Sequence, residues 1–335
     1  MNTTDKIFVA GHRGLVGSAI VRRLKALGFD NLLLRTRAEV DLTAAAAVRD
    51  LFEAERPTHV FLSAARVGGI LANSTYPADF IRDNLLVQNA VIEASHSSGV
   101  RKLVFLGSSC IYPKFAEQPI REEALLTGEL EPTNEPYAIA KIAGIVMCRS
   151  YNRQFGTRFM SVMPTNLYGT GDNFDQSTSH VLPALIRRFH DAKLAGAPEV
   201  VVWGTGTARR EFLHVDDMAD ASIHLMRAWA EPTADGQTLG GPDGINQILN
   251  IGYGDDVSIG ELAALVKEVV GYGGALRFDR TKPDGTPRKL LDSTRLRATG
   301  WVPRVSLRDG VASTYAWFLD NYDGARLGEG AAAVP

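Results

Sequence analysis

The sequence predicts an α/β protein: a Rossmann-type doubly wound parallel sheet with a smaller, discontinuous C-terminal substrate lobe. Three observations predict it. Short apolar runs alternate with helix-period segments through the first half of the chain, a glycine turn joins the first run to the first helix, and the pattern turns irregular after Gly169. Such βαβ alternation implies parallel strands buried on both faces, with the ligand at their carboxyl ends. The predicted strands are Ile-Phe-Val-Ala at 7–10, Leu-Leu-Leu at 32–34, Val-Phe-Leu at 60–62, Leu-Val-Phe-Leu at 103–106 and Phe-Met-Ser-Val-Met at 159–163. Helical periodicity occupies 15–27, 44–55, 78–97 and 137–155 between them, and returns at 215–228, 259–270 and 307–321. Residues 324–335, with their Gly-Glu-Gly-Ala-Ala-Ala run, read as a disordered tail.

Bulk properties exclude several classes of function. A net charge of -2 over 335 residues gives no global field for nucleic acid or a membrane surface. No apolar run is long enough to span a bilayer, and residues 1–6 lead into a strand without a signal-peptide pattern. Cys110 and Cys148 are too few for a disulfide scaffold. A soluble, cytoplasmic protein without a metal site is expected.

Gly11-His12-Arg13-Gly14-Leu15-Val16-Gly17 follows the first strand and opens the first helix. Glycines there let the backbone turn tightly and approach a pyrophosphate at a helix N-terminus. A purely structural strand–helix turn is the alternative. NAD readers carry a carboxylate about twenty residues further on; this chain has Arg35-Thr36-Arg37, and Arg13 lies within the glycine turn. Guanidiniums suit a ribose 2′-phosphate, so NADP(H) is the expected cofactor, although Glu39 and Asp41 follow closely. The other reading is arginines on a solvated turn.

Ser108 ends an apolar strand, and Tyr137 and Lys141 stand four apart on one helix face that Pro136 can begin. A lysine ammonium beside the phenol is expected to lower the tyrosine pKa, making Tyr137 a general acid for a ketone undergoing reduction. Ser108 can donate to the same oxygen. Cys110 is the unusual residue, because a plain carbonyl reductase needs no thiol there. It suggests a second proton transfer, against the ordinary reading of a buried cysteine as a small hydrophobe. Residues 142–148 carry no charge, and 80–92 are rich in Ile, Leu and Val. Two such helices per subunit could pair with a symmetry mate as a four-helix bundle, giving a homodimer; coverage by the chain's own C-terminal lobe is the alternative.

These residues together resemble the extended short-chain dehydrogenase/reductases, and within them the GDP-L-fucose synthase family. The motifs are Ala10-Gly11-His12-Arg13-Gly14, Gly68-Gly69-Ile70, the segment 106–113, and Glu131-Pro132-Thr133-Asn134-Glu135-Pro136-Tyr137-Ala138-Ile139-Ala140-Lys141. They continue with Met163-Pro164-Thr165-Asn166-Leu167-Tyr168-Gly169, Arg210-Glu211-Phe212-Leu213-His214-Val215-Asp216-Asp217 and Lys282-Pro283-Asp284-Gly285-Thr286-Pro287-Arg288-Lys289. Thr170 stands where the family pattern has proline, and against that pattern residues 235–244 look like a variable insertion.

The resemblance implies epimerisation of GDP-4-keto-6-deoxy-D-mannose at C3 and C5, then reduction of C4 by NADPH. It implies Cys110 as base, His180 as acid, and Ser108, Tyr137 and Lys141 as the reducing set. For the cofactor it implies residues 11–17, Arg37, Asp41, Leu42, Leu106, Gly107, Lys141, Pro164, Thr165, Asn166, Leu167 and His180. For the GDP-sugar it implies Arg188, Arg210 and Lys289 on the phosphates, Trp203 beside the nucleoside or sugar, Val181 and Leu185 against the base, and Asp284 as a polar contact. An NADP-binding domain is expected from 1–171 with about 212–253, and the substrate lobe from about 172–211 with 254–323. A nucleotide-sugar 4-epimerase or 4-ketoreductase on the same fold would need the Ser/Tyr/Lys set without the Cys110/His180 pair. A binding module that reads NADPH without turnover could discard the Ser/Tyr/Lys set, which is complete here.

Overall fold

The computed structural model describes residues 1–175, 178–228, 248–282 and 284–322. The expectations for 235–244 and 324–335 lie outside the described residues. The first half of the chain runs β1 (Ile7–Ala10), α1 (Leu15–Ala26), β2 (Leu32–Leu33), α2 (Ala45–Glu55), β3 (His59–Leu62), α3 (Ile70–Thr75), α4 (Pro77–Ser97), β4 (Lys102–Leu106), α5 (Glu135–Phe155) and β5 (Phe159–Pro164). The second half continues with β6 (Asn166–Tyr168), α6 (Val181–Leu194), β7 (Glu199–Trp203), β8 (Arg209–Arg210), β9 (Phe212–His214) and α7 (Val215–Ala228). It closes with β10 (Ile248–Ile251), β11 (Val257–Ser258), α8 (Ile259–Val270), β12 (Ala275–Asp279), β13 (Arg288–Lys289), α9 (Thr294–Ala298) and α10 (Leu307–Asp320).

Six parallel strands form the central sheet in the order β10-β5-β4-β3-β1-β2. The chain steps from β1 outward to β2, then crosses to the other side of β1 for β3. That reversal opens a crevice at the carboxyl ends of β1 and β3, where a doubly wound sheet takes its ligand. Strand β1 shows why the sequence runs are apolar throughout rather than alternating. Ile7 and Val9 pack with α1 and α7 on one face, whereas Phe8 and Ala10 pack with α2, α4 and α5 on the other. Phe8 meets Phe52 edge to face at 5.6 Å, and each such fully buried ring contributes about 1.5–3 kcal/mol by leaving water.

A third core lies apart from the sheet. It gathers Leu185, Ile186 and Phe189 of α6, Val200 and Val202 of β7, Leu262 and Val266 of α8, and Phe318 of α10. Strand β10 returns the chain to the main sheet after that core has begun.

Several elements were not predicted, among them α3, strands β6–β9 and β11–β13, and α9, and two more are instructive. Helix α6 carries Leu182, Leu185, Ile186 and Phe189 at helical spacing, but Pro183 reads as a breaker. Proline in a first helical turn removes no hydrogen bond the helix needs. Strand β10 is interrupted by Asn250, whose side chain is fully bonded inside the protein, as described below. Pro136 occupies the second position of α5, which starts one residue earlier at Glu135.

Candidate active site

The glycine turn is built for close approach. Gly11 has φ +83°, and a Cβ there would lie 2.7 Å from the Ala64 backbone. A Cβ on Gly17 would sit 2.2 Å from the Gly11 carbonyl oxygen, so α1 can stand on the turn only with glycine at that position. Helix α1 has neither a side-chain cap nor an acidic residue in its first turn. Its first amides, on Leu15, Val16 and Gly17, are therefore suited to an anion. Beside them the buried His12 Nδ1 has no partner, and desolvation followed by the Arg13 charge holds the imidazole's pKa down. These features fit a dinucleotide pyrophosphate.

Of the arginines expected near the ribose, Arg35 is not available. Its guanidinium meets Glu55 at 2.5 Å and donates to the Leu34 carbonyl. Arg37 is exposed and lies close enough to Asp41 to lower its pKa. Both carboxylates that complicated the cofactor reading are engaged in local turns. Asp41 accepts from Thr43 N and Oγ1, and Glu39 accepts from Thr36 N and Oγ1. Leu42 packs under them against the core.

The reducing set comes from β4 and α5. Lys141 is buried and donates to the Leu106 carbonyl at 2.8 Å, with Nζ 5.9 Å from the centre of the Tyr137 ring. Tyr137 shares a hydrogen bond with Ser108. Gly107 joins them, because a Cβ there would strike Met163 Sδ at 2.4 Å. The expected lowering of the Tyr137 pKa is overturned. Burial and the nearby Cys110 push it well up, and only the Ser108 hydrogen bond acts against them. Burial also brings Lys141 down to about 7, so near neutrality it is only partly a cation.

Cys110 follows Ser108 in a one-turn 3₁₀ helix over Ser109–Ile111, capped by Ser108 Oγ accepting from Cys110 N at 3.2 Å. Its sulfur receives Asn134 Nδ2 at 3.3 Å and Lys289 Nζ at 3.8 Å. Lys289, expected on the diphosphate, thus lies against the thiol in this structure. Two residues on, Tyr112 donates to Asn250 Oδ1 at 2.6 Å, and Asn250 Nδ2 donates to the Ile120 and Asp292 carbonyls. Asn250 N donates to Glu122 Oε1 at 3.0 Å. The buried asparagine that interrupts β10 therefore anchors the loop bearing the thiol.

His180 is the N-cap residue of α6, and its side chain makes no capping bond. The loop before it is held to Gly69, whose N–H donates to the Thr178 carbonyl at 3.2 Å. The imidazole is open to the cleft, yet the protein mass around it lowers its pKa by desolvation. A neutral ring therefore predominates at pH 7, and the imidazolium is a stronger acid than usual. Among the described residues no contact joins His180 to Cys110.

Of each arginine pair in the second half, one member is taken up by a carboxylate. Arg187 pairs with Asp191 at 2.6 Å, and Asp256 holds both Arg209 at 2.6 Å and Arg288 at 2.5 Å. Arg188 and Arg210 instead donate to the carbonyls of Val201 and Arg209, and desolvation lowers both pKa values. Trp203 is 65% exposed, with Lys282 Nζ 5.6 Å from its ring centre. Val181 is exposed and Leu185 is buried. Asp284 accepts from Thr205 N and Oγ1, which engages it in closing the 204–206 turn.

The segment Pro164-Thr165-Asn166-Leu167 crosses from β5 to β6. Asn166 Nδ2 and Thr165 Oγ1 both donate to the Glu211 carbonyl, at 2.8 and 3.2 Å, while Leu167 packs into the core. The fully buried Glu211 carboxylate accepts from Gly254 N at 2.7 Å and Leu291 N at 3.1 Å. One residue thereby ties the crossing to the segments that follow β10 and β13.

Residues 7–252 match the NAD dependent epimerase/dehydratase family. The chain belongs to that family. It is 61% identical to GDP-L-fucose synthase 1 of Arabidopsis thaliana over 94% of each chain. It is 57% identical to GDP-L-fucose synthase of Escherichia coli, over 95% of this chain and 98% of the relative. A solved GDP-L-fucose synthetase from Naegleria fowleri, bound to NADP, superposes with a TM-score of 0.86 at 29% identity, covering 97% of both chains.

Within this epimerase/dehydratase frame, sequence reasoning missed Asn134, Tyr112, Asn250 and Glu211. Asn134 lay in plain view three residues before Tyr137. The others act across long chain separations, and only an out-of-pattern polar residue in an apolar strand could have marked Asn250.

Proposed function

We propose that the chain converts GDP-4-keto-6-deoxy-D-mannose to GDP-L-fucose, epimerising C3 and C5 before NADPH-dependent reduction of the C4 ketone. The observation that carries this reading is the position of Cys110. Its sulfur is gripped by two donors and lies near enough to Tyr137 to raise the phenol's pKa, so a candidate base and the reducing acid share one pocket. The names of the relatives and the NADP held by the structural neighbour support the substrate and the cofactor.

The residues divide the chemistry as follows. The amides and glycines of 11–17 would bind the pyrophosphate, Arg13 and Arg37 the 2′-phosphate, and Lys141 the nicotinamide ribose. When bound, NADPH supplies hydride to C4. Ser108 and Tyr137 hydrogen-bond the C4 oxygen in both stages, because an enolate and an alkoxide develop charge on the same atom. The raised Tyr137 pKa keeps its proton in place for donation. Cys110 removes the protons at C3 and C5, which the adjacent ketone acidifies, and His180 returns a proton on the opposite face. Arg188 and Arg210 face the diphosphate, with Trp203, Val181 and Leu185 towards the nucleoside.

The third core and its strands form the substrate lobe in this reading, with the sheet as the NADP domain. Two subunits pair through α4 and α5, where Leu86, Ile139 and Val146 are exposed and a cavity of about 340 Å³ is lined by Pro77, Ile81, Pro136 and Ile139. Among the described residues no helix is long and apolar enough to cross a membrane; with two free cysteines, the cytoplasm suits the protein.

The test is product NMR after turnover in deuterated water. The wild type should carry label at C3 and C5, whereas Cys110→Ser should carry none and bind NADPH normally. Turnover by the wild type without label at either carbon reduces the function to ketoreduction.

A further inference from the structure

We propose that Lys289, assisted by Asn134, holds Cys110 as a thiolate, so that the base for C3 and C5 is charged before substrate arrives. The proposal rests on the function assigned above and deepens it. A lysine ammonium has donors and no acceptor, so at 3.8 Å from Nζ the sulfur must be the accepting partner. Asn134 Nδ2 adds a second donor at 3.3 Å, while Asn134 Oδ1 is buried without a partner. The amide is thus aimed at the sulfur at the expense of its own oxygen. Both donors converge on an atom that accepts well only when ionised.

Lys289 is fixed there by backbone. Strand β13 pairs in parallel with β8, setting Lys289 opposite Arg210, and the Lys289 carbonyl accepts from Glu211 N at 3.3 Å. Among the described residues no carboxylate pairs with Lys289. Arg210 is left to the diphosphate and Lys289 to the thiolate.

In the reaction the C–H bond at C3 or at C5 breaks as the S–H bond forms, and the thiol returns its proton to solvent before the other carbon reacts. The electron pair moves onto the C4 oxygen, where Tyr137 and Ser108 receive it. The thiolate also raises the Tyr137 pKa, so the charged base keeps the reducing acid protonated.

The test follows Cys110 alkylation by iodoacetamide against pH in the substrate-free enzyme. Cys148 is buried, and Cys110→Ser provides the blank. Lys289→Met should slow alkylation at pH 7 about tenfold and move its rise about one unit to higher pH; Lys289→Arg should restore it. Asn134→Ala should slow it about threefold, which tests the cradle without the lysine. A wild-type alkylation profile in Lys289→Met, with a raised KM for the GDP-sugar, overturns the proposal and returns Lys289 to the diphosphate. Solvent exchange persisting in Cys110→Ser removes Cys110 as the base, and wild-type turnover without label refutes the assigned function separately, whatever the alkylation shows.

Discussion

Lys141 is a residue whose burial beside the proposed acid works against the stability of the fold. Burial lowers its pKa from 10.5 to about 7, so the unfolded chain holds a proton between those values that the folded chain has released. The resulting destabilisation is fully present below about pH 7 and fades as pH rises towards 10.5. That pKa difference corresponds to roughly 4–5 kcal/mol, offset in part by the bond to the Leu106 carbonyl. Lys141→Met should therefore melt several degrees above the wild type at pH 7, with the gap closing by pH 10, while reduction falls at least about a hundredfold. Equal melting shifts at both pH values would remove the charge argument. The sequence showed this lysine and its tyrosine by spacing alone. It could not show which charge each carries, because burial sets that and the spacing carries no record of burial.

At the scale of elements, the same helix that presents Tyr137 and Lys141 inward leaves Ile139 and Val146 outward, 41% and 43% exposed. One helix therefore serves the site with one face and, in the proposed dimer, assembly with the other. Val146→Glu places a charge in the proposed α4–α5 interface and touches nothing in the pocket. Sedimentation should then give a monomer where the wild type gives a dimer; a wild-type monomer at micromolar concentration dismisses the interface. Elements with an unbroken apolar pattern were legible: β1, α7 and α8 stand where the sequence put them. Most of those missed are strands of two to five residues or helices of five or six, too short to show a period, whereas α6 and β10 each contain a residue that breaks the local pattern. Pro183 is harmless because it lies in a first turn, and Asn250 is tolerated because Tyr112, Ile120 and Asp292 satisfy it. The glycine turn, Ser108 and Tyr137 were similarly readable. The Asn134–Cys110–Lys289 contact was not, since two of its members stand 179 residues apart.

Across the whole molecule, six of the seven histidines have pKa values lowered, with desolvation the leading cause in each. His59, buried at the start of β3, falls from 6.5 to about 4. The unfolded chain takes up that proton first, so this contribution to stability is complete above pH 6.5 and is lost as pH falls towards 4. It amounts to about 3 kcal/mol. Buried Glu122, Glu211 and Asp217 have raised values and act in the opposite sense, so the measurement must be a difference. Urea denaturation at pH 7 and pH 4 should show the wild type losing about 3 kcal/mol more than His59→Gln; parallel losses would show that His59 does not titrate in this window. The stretch from Lys289 to Asp292 has a further consequence. It gives a cation to Cys110, a carbonyl to Ile120 N, an amide to Glu211 and a carbonyl to Asn250. During translation it leaves the ribosome last among the parts of the pocket, so a nascent chain carries its glycine turn, tyrosine and thiol long before anything clamps them together. Catalytic competence arrives late in synthesis and nearly all at once.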